Sequence, residues 1–575
     1  MKKSYDQIGK FKPRNILTVG SGIRFNTPEA MLYAARTIPE IGIVTAKSTG
    51  PLQRAGNPEP IIINPTPGIV MNAVGLTNPG AEVSAYEAKW LRENGWPSDV
   101  MLLWSIFPGG KDDSKFGGTE KDLVYVTEHL APYVDGLEIN FGCPHSCGLA
   151  AMGRDPKIVE AYTCAVAEKI KAIEMQIPVL AKLTPSAEDI GAIARAAERG
   201  GAAGIVAINT VGPVESEILS AGKGSLSGSA ARDRGLECVK QITKDVDLPI
   251  IGMGGIFDAE HVRAYRKNGA YFYGVSSGVL IGRSTNHAQN LFSTIIKDLG
   301  DNTNFSAYFF QERTHMDYHK FKISSVVNID DDLRILTFDK PCFSEPGNYV
   351  FINIPNAGEK PFSIACQAPL RIAVRKVGNF TSKLFGLKEG DTVNVRGPYG
   401  NSLEPDNLLA EDIYLVGGGT GIAPLRFLAD TLADDETVIV IGGKNKDQLL
   451  FEHELNDFGE LHVATDDGSK GFHGFVTDCL EELLAERKPK NPVIVNCGPE
   501  KMMYKAAQIE LKYAKPSHII CSVERHMSCG VGECGKCSIG GKLACVDGTC
   551  FDFKYLSDTE FGKYKRGKYG ERVVI

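Results

Sequence analysis

Between residues 15 and 299, short apolar runs alternate with amphipathic stretches, and this rhythm constrains the fold more than any other feature of the sequence. The apolar run 177–182 is followed by a helical pattern over 187–199 and then by the run 204–209. A second round passes through a helix near 236–245, the run 249–255 and a helix over 259–268. Strands separated by helices of this length cannot pair as hairpins, so the sheet they form is parallel. Continued over about 290 residues, the pattern predicts an α/β fold of the TIM (β/α)8 type, with polar residues at the C-terminal strand ends lining the site.

The rhythm breaks in the polar, aperiodic stretch 301–315, which reads as a linker. Alternating β-type segments then fill 316–408, as in 324–329 and 349–354, and predict an antiparallel β-barrel. A strand running into Gly417-Gly418-Gly419-Thr420-Gly421 opens a second α/β unit over 409–515. The remainder, 516–575, is rich in Gly and Cys and too poor in apolar residues to build a core of its own.

Lys and Arg number 63 against 70 Asp and Glu, and the formal charge of −7 argues against a partner held by nucleic-acid phosphates. The first residues lack a signal-peptide core, and every apolar run is broken well before about 18 residues, so the expected setting is cytoplasmic, without a membrane. The 62 glycines among 575 residues exceed the usual share of about 7% and suggest many turns that bring backbone close to phosphate.

Six of the 14 cysteines fall between Cys521 and Cys550, which in a chain of this kind points to metal rather than disulfides. The spacing Cys529-x4-Cys534-x2-Cys537-x7-Cys545 matches the plant-type pattern in which four thiolates hold a [2Fe–2S] cluster. Structural zinc, the alternative, usually uses two separated Cys-x2-Cys pairs. Gly530, Gly532 and Gly535 would let backbone amides approach the sulfides, and Cys521 and Cys550 are left as packing residues.

Three β-segment fragments stand out: Lys360-Pro361-Phe362-Ser363, Gly378-Asn379-Phe380-Thr381-Ser382 and Gly397-Pro398-Tyr399-Gly400. With the Gly417–Gly421 turn, Thr465-Asp466-Asp467-Gly468 and Cys497-Gly498-Pro499, they resemble the ferredoxin-reductase family in its dihydroorotate dehydrogenase electron-transfer branch, over about 316–558. The resemblance implies that Lys360, Pro361, Phe362 and Ser363 bind FAD and that Gly378, Thr381 and Ser382 hold its pyrophosphate. It further implies that Gly418, Gly419, Thr420, Gly421, Cys497 and Gly498 line a nicotinamide site. Lys360 stands where that family usually has Arg, a point charge in place of a bidentate fork.

In the barrel, Asn140-Phe141-Gly142-Cys143-Pro144-His145 follows an apolar strand at 134–139. Together with Ala46-Lys47-Ser48-Thr49, the run Met71 to Gly80, Ala181-Lys182-Leu183-Thr184-Pro185 and Ile208-Asn209-Thr210, it resembles class 1 dihydroorotate dehydrogenases over 15–290. By that resemblance Ser21, Lys47, Asn140 and Lys182 contact FMN, and Gly228, Gly254, Gly255, Ser276 and Ser277 cradle its phosphate. Lys47, Asn72, Gly75, Leu76, Asn140, His145, Asn209 and Thr210 hold the substrate, and Cys143 is the catalytic base. A cation such as Lys182 beside the flavin N1/O2 edge would stabilise the anionic reduced ring.

The two modules together resemble the class 1B, NAD-linked enzymes, with electrons expected to pass from FMN through the cluster and FAD to NAD. His145 and Ser276, however, look more like dihydropyrimidine dehydrogenase, which keeps a uracil-type or other cyclic amide substrate open; the reductase module favours dihydroorotate. An electron-transfer hub serving a protein acceptor is a third expectation, opposed by the full set of barrel residues. Lys444 and Lys446 could meet a 2′-phosphate, but the resemblance favours NAD over NADP, and by analogy it implies a homodimer.

Overall fold

The computed structural model describes residues 5–22, 24–110, 113–142, 149–280, 285–301, 316–403, 412–432 and 436–575. The chain divides into two compact units: Met1–Arg313 with Gly532–Lys542 and Arg566–Glu571, and Thr314–Val531 with Leu543–Lys565 and Arg572–Ile575. Of the expected linker 301–315, all but the first residue lies outside the described residues.

The first unit is a closed barrel of eight parallel strands. In chain order these are Leu17–Val19, Ile41–Thr49, Met101–Ile106, Gly136–Asn140, Val179–Lys182, Gly204–Ala207, Ile250–Met253 and Phe272–Gly274. Helices follow the strands and pack outside them, each through one apolar stripe. In Ile190–Arg199 that stripe is Ile190, Ile193, Ala194 and Ala197, at the spacing of one helix face. This helix starts three residues later than its apolar pattern suggests, because Asp189 turns its side chain to accept from the Ala192 amide and caps the helix there. An antiparallel sheet made of Ile62–Thr66, Ile69–Asn72, Lys223–Gly228 and Val211–Glu215 carries Asn72, whose register partner is Ser225.

Within the same unit Arg566 is tied to Glu29 at 2.8 Å and to Glu87, all three side chains being nearly buried. Two carboxylates hold the guanidinium charged and raise its pKa against the cost of burial.

The second unit combines two sheets. In the antiparallel one the ten-residue strand His319–Asn328 pairs through its first half with Thr392–Tyr399 and through its second with Leu333–Phe338, which folds the sheet over a core of Phe321, Ile323, Phe338 and Val350. The other is parallel, with Ile413–Gly418 between Val438–Gly443 and Val493–Cys497 and an antiparallel edge strand, Cys550–Asp552. Its strand order reverses between Ile413–Gly418 and Val493–Cys497, the place where such sheets open a crevice for a ligand.

Arg396 and Glu359, both fully buried, anchor the antiparallel sheet. The guanidinium donates to both carboxylate oxygens at 2.9 and 2.6 Å, to the Cys529 carbonyl at 2.9 Å, and lies 3.8 Å from the Phe351 ring. Tyr318 donates a further bond to Glu359 at 2.6 Å. Arg396→Met removes the cation and leaves a buried carboxylate without a compensating charge, so the unit is expected to lose about 3–5 kcal/mol of stability. Urea titration measures this; a loss below about 1 kcal/mol would give the pair no more weight than a surface ion pair.

Candidate functional site

Strand alternation builds the mouth of the barrel from below. Ile43, Met101, Leu103, Leu180, Val206, Ile251 and Phe272 fill the lower interior. Two or four residues further along the same strands the inward positions carry Lys47, Ser105, Lys182, Ile208 and Met253. The change from apolar to polar on the strands that carry Lys47, Ser105 and Lys182 is what opens a site at the C-terminal ends.

Asn140 is the hub of the polar layer. Its amide donates to Ser48 Oγ at 3.0 Å, Ser48 shares a 2.8 Å bond with Ser105, and Asn140 Oδ1 accepts from Asn209 Nδ2 at 2.9 Å and from the Gly142 amide at 3.1 Å. Asn209 in turn accepts from the Thr210 amide at 2.8 Å. These bonds orient both carboxamides and leave each a further N–H.

The two lysines are held differently. Lys182 Nζ donates to Ser21 Oγ at 3.1 Å and lies 3.7 Å from Glu138 Oε1. Lys47 has no hydrogen-bond acceptor among the described residues. Desolvation, with Lys536 adding repulsion, pushes its pKa down to about 7.

Above them, Gly75 and Leu76 follow one another with φ of 78° and 57°. This backbone is fastened from outside: Arg54 donates to the Gly75 carbonyl at 2.7 Å while paired with Asp113 at 3.0 Å, and Asn78 donates to the Leu76 carbonyl at 2.9 Å. With the carbonyls so engaged, the Gly75 and Leu76 amides have no acceptor among the described residues.

One cleft is lined by twelve of the sequence-predicted residues: Ser21, Lys47, Asn72, Gly75, Leu76, Asn140, Lys182, Asn209, Thr210, Gly254, Ser276 and Ser277. Gly228 and Gly255 are not among its lining residues but meet beside it, where a Cβ on Gly255 would fall 2.7 Å from the Gly228 carbonyl. A Cβ on Gly20 would fall 2.5 Å from Ser276 Oγ. Only bare backbone fits these turns, so amides and hydroxyls, not side-chain carbon, face the cleft, as a phosphate requires. The donor set therefore fits FMN. Cys143 and His145 lie outside the described residues. Ser48, Glu138, Glu533 and Arg54 were not foreseen from sequence; Glu533 lines the cleft although it comes from the segment Gly532–Lys542.

In the second unit, Lys360, Pro361, Phe362 and Ser363 are the last four residues of the strand Gly358–Ser363, half-buried except for the exposed Ser363. Gly378 precedes the helix Asn379–Phe385, in which Thr381 Oγ accepts from the Val377 and Gly378 amides and the Ser382 amide donates to the Gly378 carbonyl. At the switch point the two predicted turns touch. A Cβ on Gly421 would meet the Cys497 carbonyl at 2.3 Å, and one on Gly498 the Gly418 carbonyl at 2.9 Å; Gly419 has φ of 57°, and Thr420 stands between. Burial pushes the Cys497 thiol well above its ordinary pKa, which makes it a packing and contact group rather than a nucleophile.

Cys529, Cys534, Cys537 and Cys545 are all buried, and Gly530, Gly532 and Gly535 take the left-handed φ of 79°, 79° and 68°. Left-handed glycine turns of this kind can present backbone amides to an anionic group. Among the described residues no three His, Cys, Asp or Glu side chains converge as on a single metal ion.

Residues 6–301 match the family described as dihydroorotate dehydrogenase, and residues 415–508 that described as oxidoreductase NAD-binding domain. A probable dihydroorotate dehydrogenase B (NAD(+)) electron transfer subunit of Pyrococcus horikoshii is 40% identical over 235 residues, covering 41% of this chain and 90% of that one. The same-named protein of Methanocaldococcus jannaschii is 35% identical over 259 residues, covering 44% and 96%. Among solved structures, a dihydroorotate dehydrogenase of Eimeria tenella in complex with ferulenol matches at TM-score 0.45 and 20% identity, covering 50% of this chain and 82% of that one. An NADH-dependent reduced ferredoxin–NADP oxidoreductase matches at TM-score 0.37 and 31% identity, covering 41% and 88%.

The depressed Lys47 pKa has a signed consequence. Folded Lys47 titrates near about 7 in place of 10.5, so above that pH most of it is neutral. A carboxylate bound beside it restores the cation, and binding then takes up a proton. Affinity for a small carboxylate should fall by up to about tenfold for each pH unit above about 7. Calorimetry in two buffers of different ionisation enthalpy measures the uptake, and Lys47→Met should flatten the profile. Affinity unchanged from about pH 6.5 to 8.5 would put Lys47 out of the carboxylate's reach.

Proposed function

Since the chain belongs to the dihydroorotate dehydrogenase family, we propose that it interconverts dihydroorotate and orotate in the barrel cleft and exchanges the electrons with NAD through its second unit. The observation that carries this reading is the convergence in one cleft of Lys47, the open amides of Gly75 and Leu76, the carboxamides of Asn72, Asn140 and Asn209, and Thr210. A cation with two unengaged N–H groups answers a carboxylate, and carboxamides answer the alternating C=O and N–H groups of a pyrimidine ring.

FMN would be held by Ser21, Lys47, Asn140 and Lys182, with its phosphate at Gly228, Gly254, Gly255, Ser276 and Ser277; when bound, it supplies the hydride acceptor for the ring. The chain's own part is to hold the ring flat against that acceptor through the asparagines, to fix its carboxylate, and to take the proton from ring C5, the role assigned to Cys143. FAD would lie along Lys360–Ser363 and Gly378–Ser382 and the nicotinamide at Gly418–Gly421 and Cys497–Gly498, while Cys529, Cys534, Cys537 and Cys545 would hold a [2Fe–2S] cluster. The names of the relatives support NAD as the partner of that half. Among the described residues no helix is long and apolar enough to cross a membrane. A homodimer in the cytoplasm completes the proposal.

Purified protein should contain one FMN, one FAD and about two iron atoms per chain. Zinc in place of iron, or one flavin type alone, would remove the proposed relay. Dihydroorotate should bleach the flavin anaerobically and exceed dihydrouracil in kcat/KM by at least about a hundredfold, the scale of one lost charged hydrogen bond. The reverse ratio would assign a neutral cyclic amide as substrate, the alternative that Ser276 in the cleft wall favours.

Cys143→Ser should slow substrate-driven flavin reduction by roughly 10²–10⁴-fold, the usual worth of a positioned base, and leave reduction by NADH near the wild-type rate. Full substrate-driven reduction in that variant would make Cys143 a packing residue.

A further inference from the structure

The proposed function makes no use of Glu138, a buried charge on a barrel strand. Glu138 lies on Gly136–Asn140, one inward position below Asn140, with Ser105 as its register partner on one neighbouring strand and Leu180 on the other. Its side chain is 1% exposed. Oε1 has no hydrogen-bond donor among the described residues, and the cation that answers it is Lys182, with Nζ at 3.7 Å. Beneath it lies the apolar filling of the lower barrel. A carboxylate in such a place is tolerated only where a cation compensates it, and an amide or an apolar group would pack there without that demand.

Lys182 is therefore gripped from two directions. It donates to Ser21 Oγ at the mouth and faces the Glu138 carboxylate below. Lys182 lines the cleft and Glu138 does not, so a ligand there meets the cation with the anion behind it and feels the field of a lysine partly cancelled.

We propose that Glu138 is a positioning residue which, acting through Lys182, offsets part of the lysine's charge and so sets how strongly the cleft favours negative charge on a flavin bound there. This rests on the assignment of FMN to the barrel. Glu138 needs no contact with flavin or substrate for this role. It lowers the stabilisation that an undiluted Lys182 would give to a reduced, anionic ring, and it keeps the lysine in one place whether or not substrate is present.

Sulfite reads this directly, without turnover. Its sulfur lone pair forms a bond to flavin N5, and the displaced electron pair leaves a negative charge at the N1–C2 carbonyl edge, so its dissociation constant reports how well the site stabilises that charge. In the full-length, flavin-loaded protein Glu138→Gln should bind sulfite about tenfold more tightly, the size expected for removing one charge several ångströms away in a partly polar interior. Lys182→Gln should weaken sulfite binding by a similar factor, which identifies the share of the spectral change that belongs to the barrel. Glu138→Asp keeps the charge and draws it back by one methylene; it should move the constant in the same direction by about two- to threefold, and it serves if Glu138→Gln does not fold.

Unchanged sulfite affinity in a Glu138→Gln protein with normal flavin content would make Glu138 a packing residue. Weaker affinity would mean that Glu138 only keeps Lys182 charged, and the offset would be wrong. Extraction of the wild type separates the two layers of inference: a chain that yields no FMN defeats the cofactor assignment, whereas FMN present with no response to Glu138→Gln defeats this proposal alone.

Discussion

A closed barrel of eight parallel strands sends every second residue into an interior that only side chains can fill, and the remaining features of the first unit follow from how this sequence fills it. Apolar residues take the lower positions. Ser105, Glu138, Asn140, Lys47 and Lys182 take the upper ones, where each must find a partner or face the cleft. The site is thus the part of the core that was left polar, and its rigidity comes from the same strands that close the barrel.

This explains which parts could be read from the sequence. Asn140, Lys182 and Asn209 stand at or just past the ends of apolar runs, so the strand–helix rhythm puts them at strand ends; their place in one site together with Lys47 was what the family resemblance implied, and the structure brings all four into one cleft. The glycine turns were legible for a similar reason, since Gly254 and Gly419 mark points where the chain leaves a strand with positive φ.

Other features leave little trace in a linear pattern. Glu138 sits inside a run that looks apolar, and its meaning depends on Lys182, which is 44 positions away and adjacent only through strand pairing. Glu359 and Arg396 likewise meet only across the folded sheet. Glu533 reaches the cleft from a cysteine-rich stretch whose composition speaks of metal, not of a barrel. The start of Ile190–Arg199 is set by a side-chain bond of Asp189, a local choice that the apolar stripe does not encode.

The contrast between the two lysines shows how one rim can serve two ligands of different charge demand. Lys182 is a fixed group, because Ser21 and Glu138 hold its side chain in place whether or not a ligand is present. Lys47 is a conditional one: desolvated, repelled by Lys536 and without an acceptor among the described residues, it is only partly charged near neutral pH until an anion arrives. A resident cofactor needs the first kind, since its environment must not change between turnovers. A substrate that must enter and leave is better met by the second, because the empty site then carries less uncompensated charge and the full interaction forms only with the ligand in place.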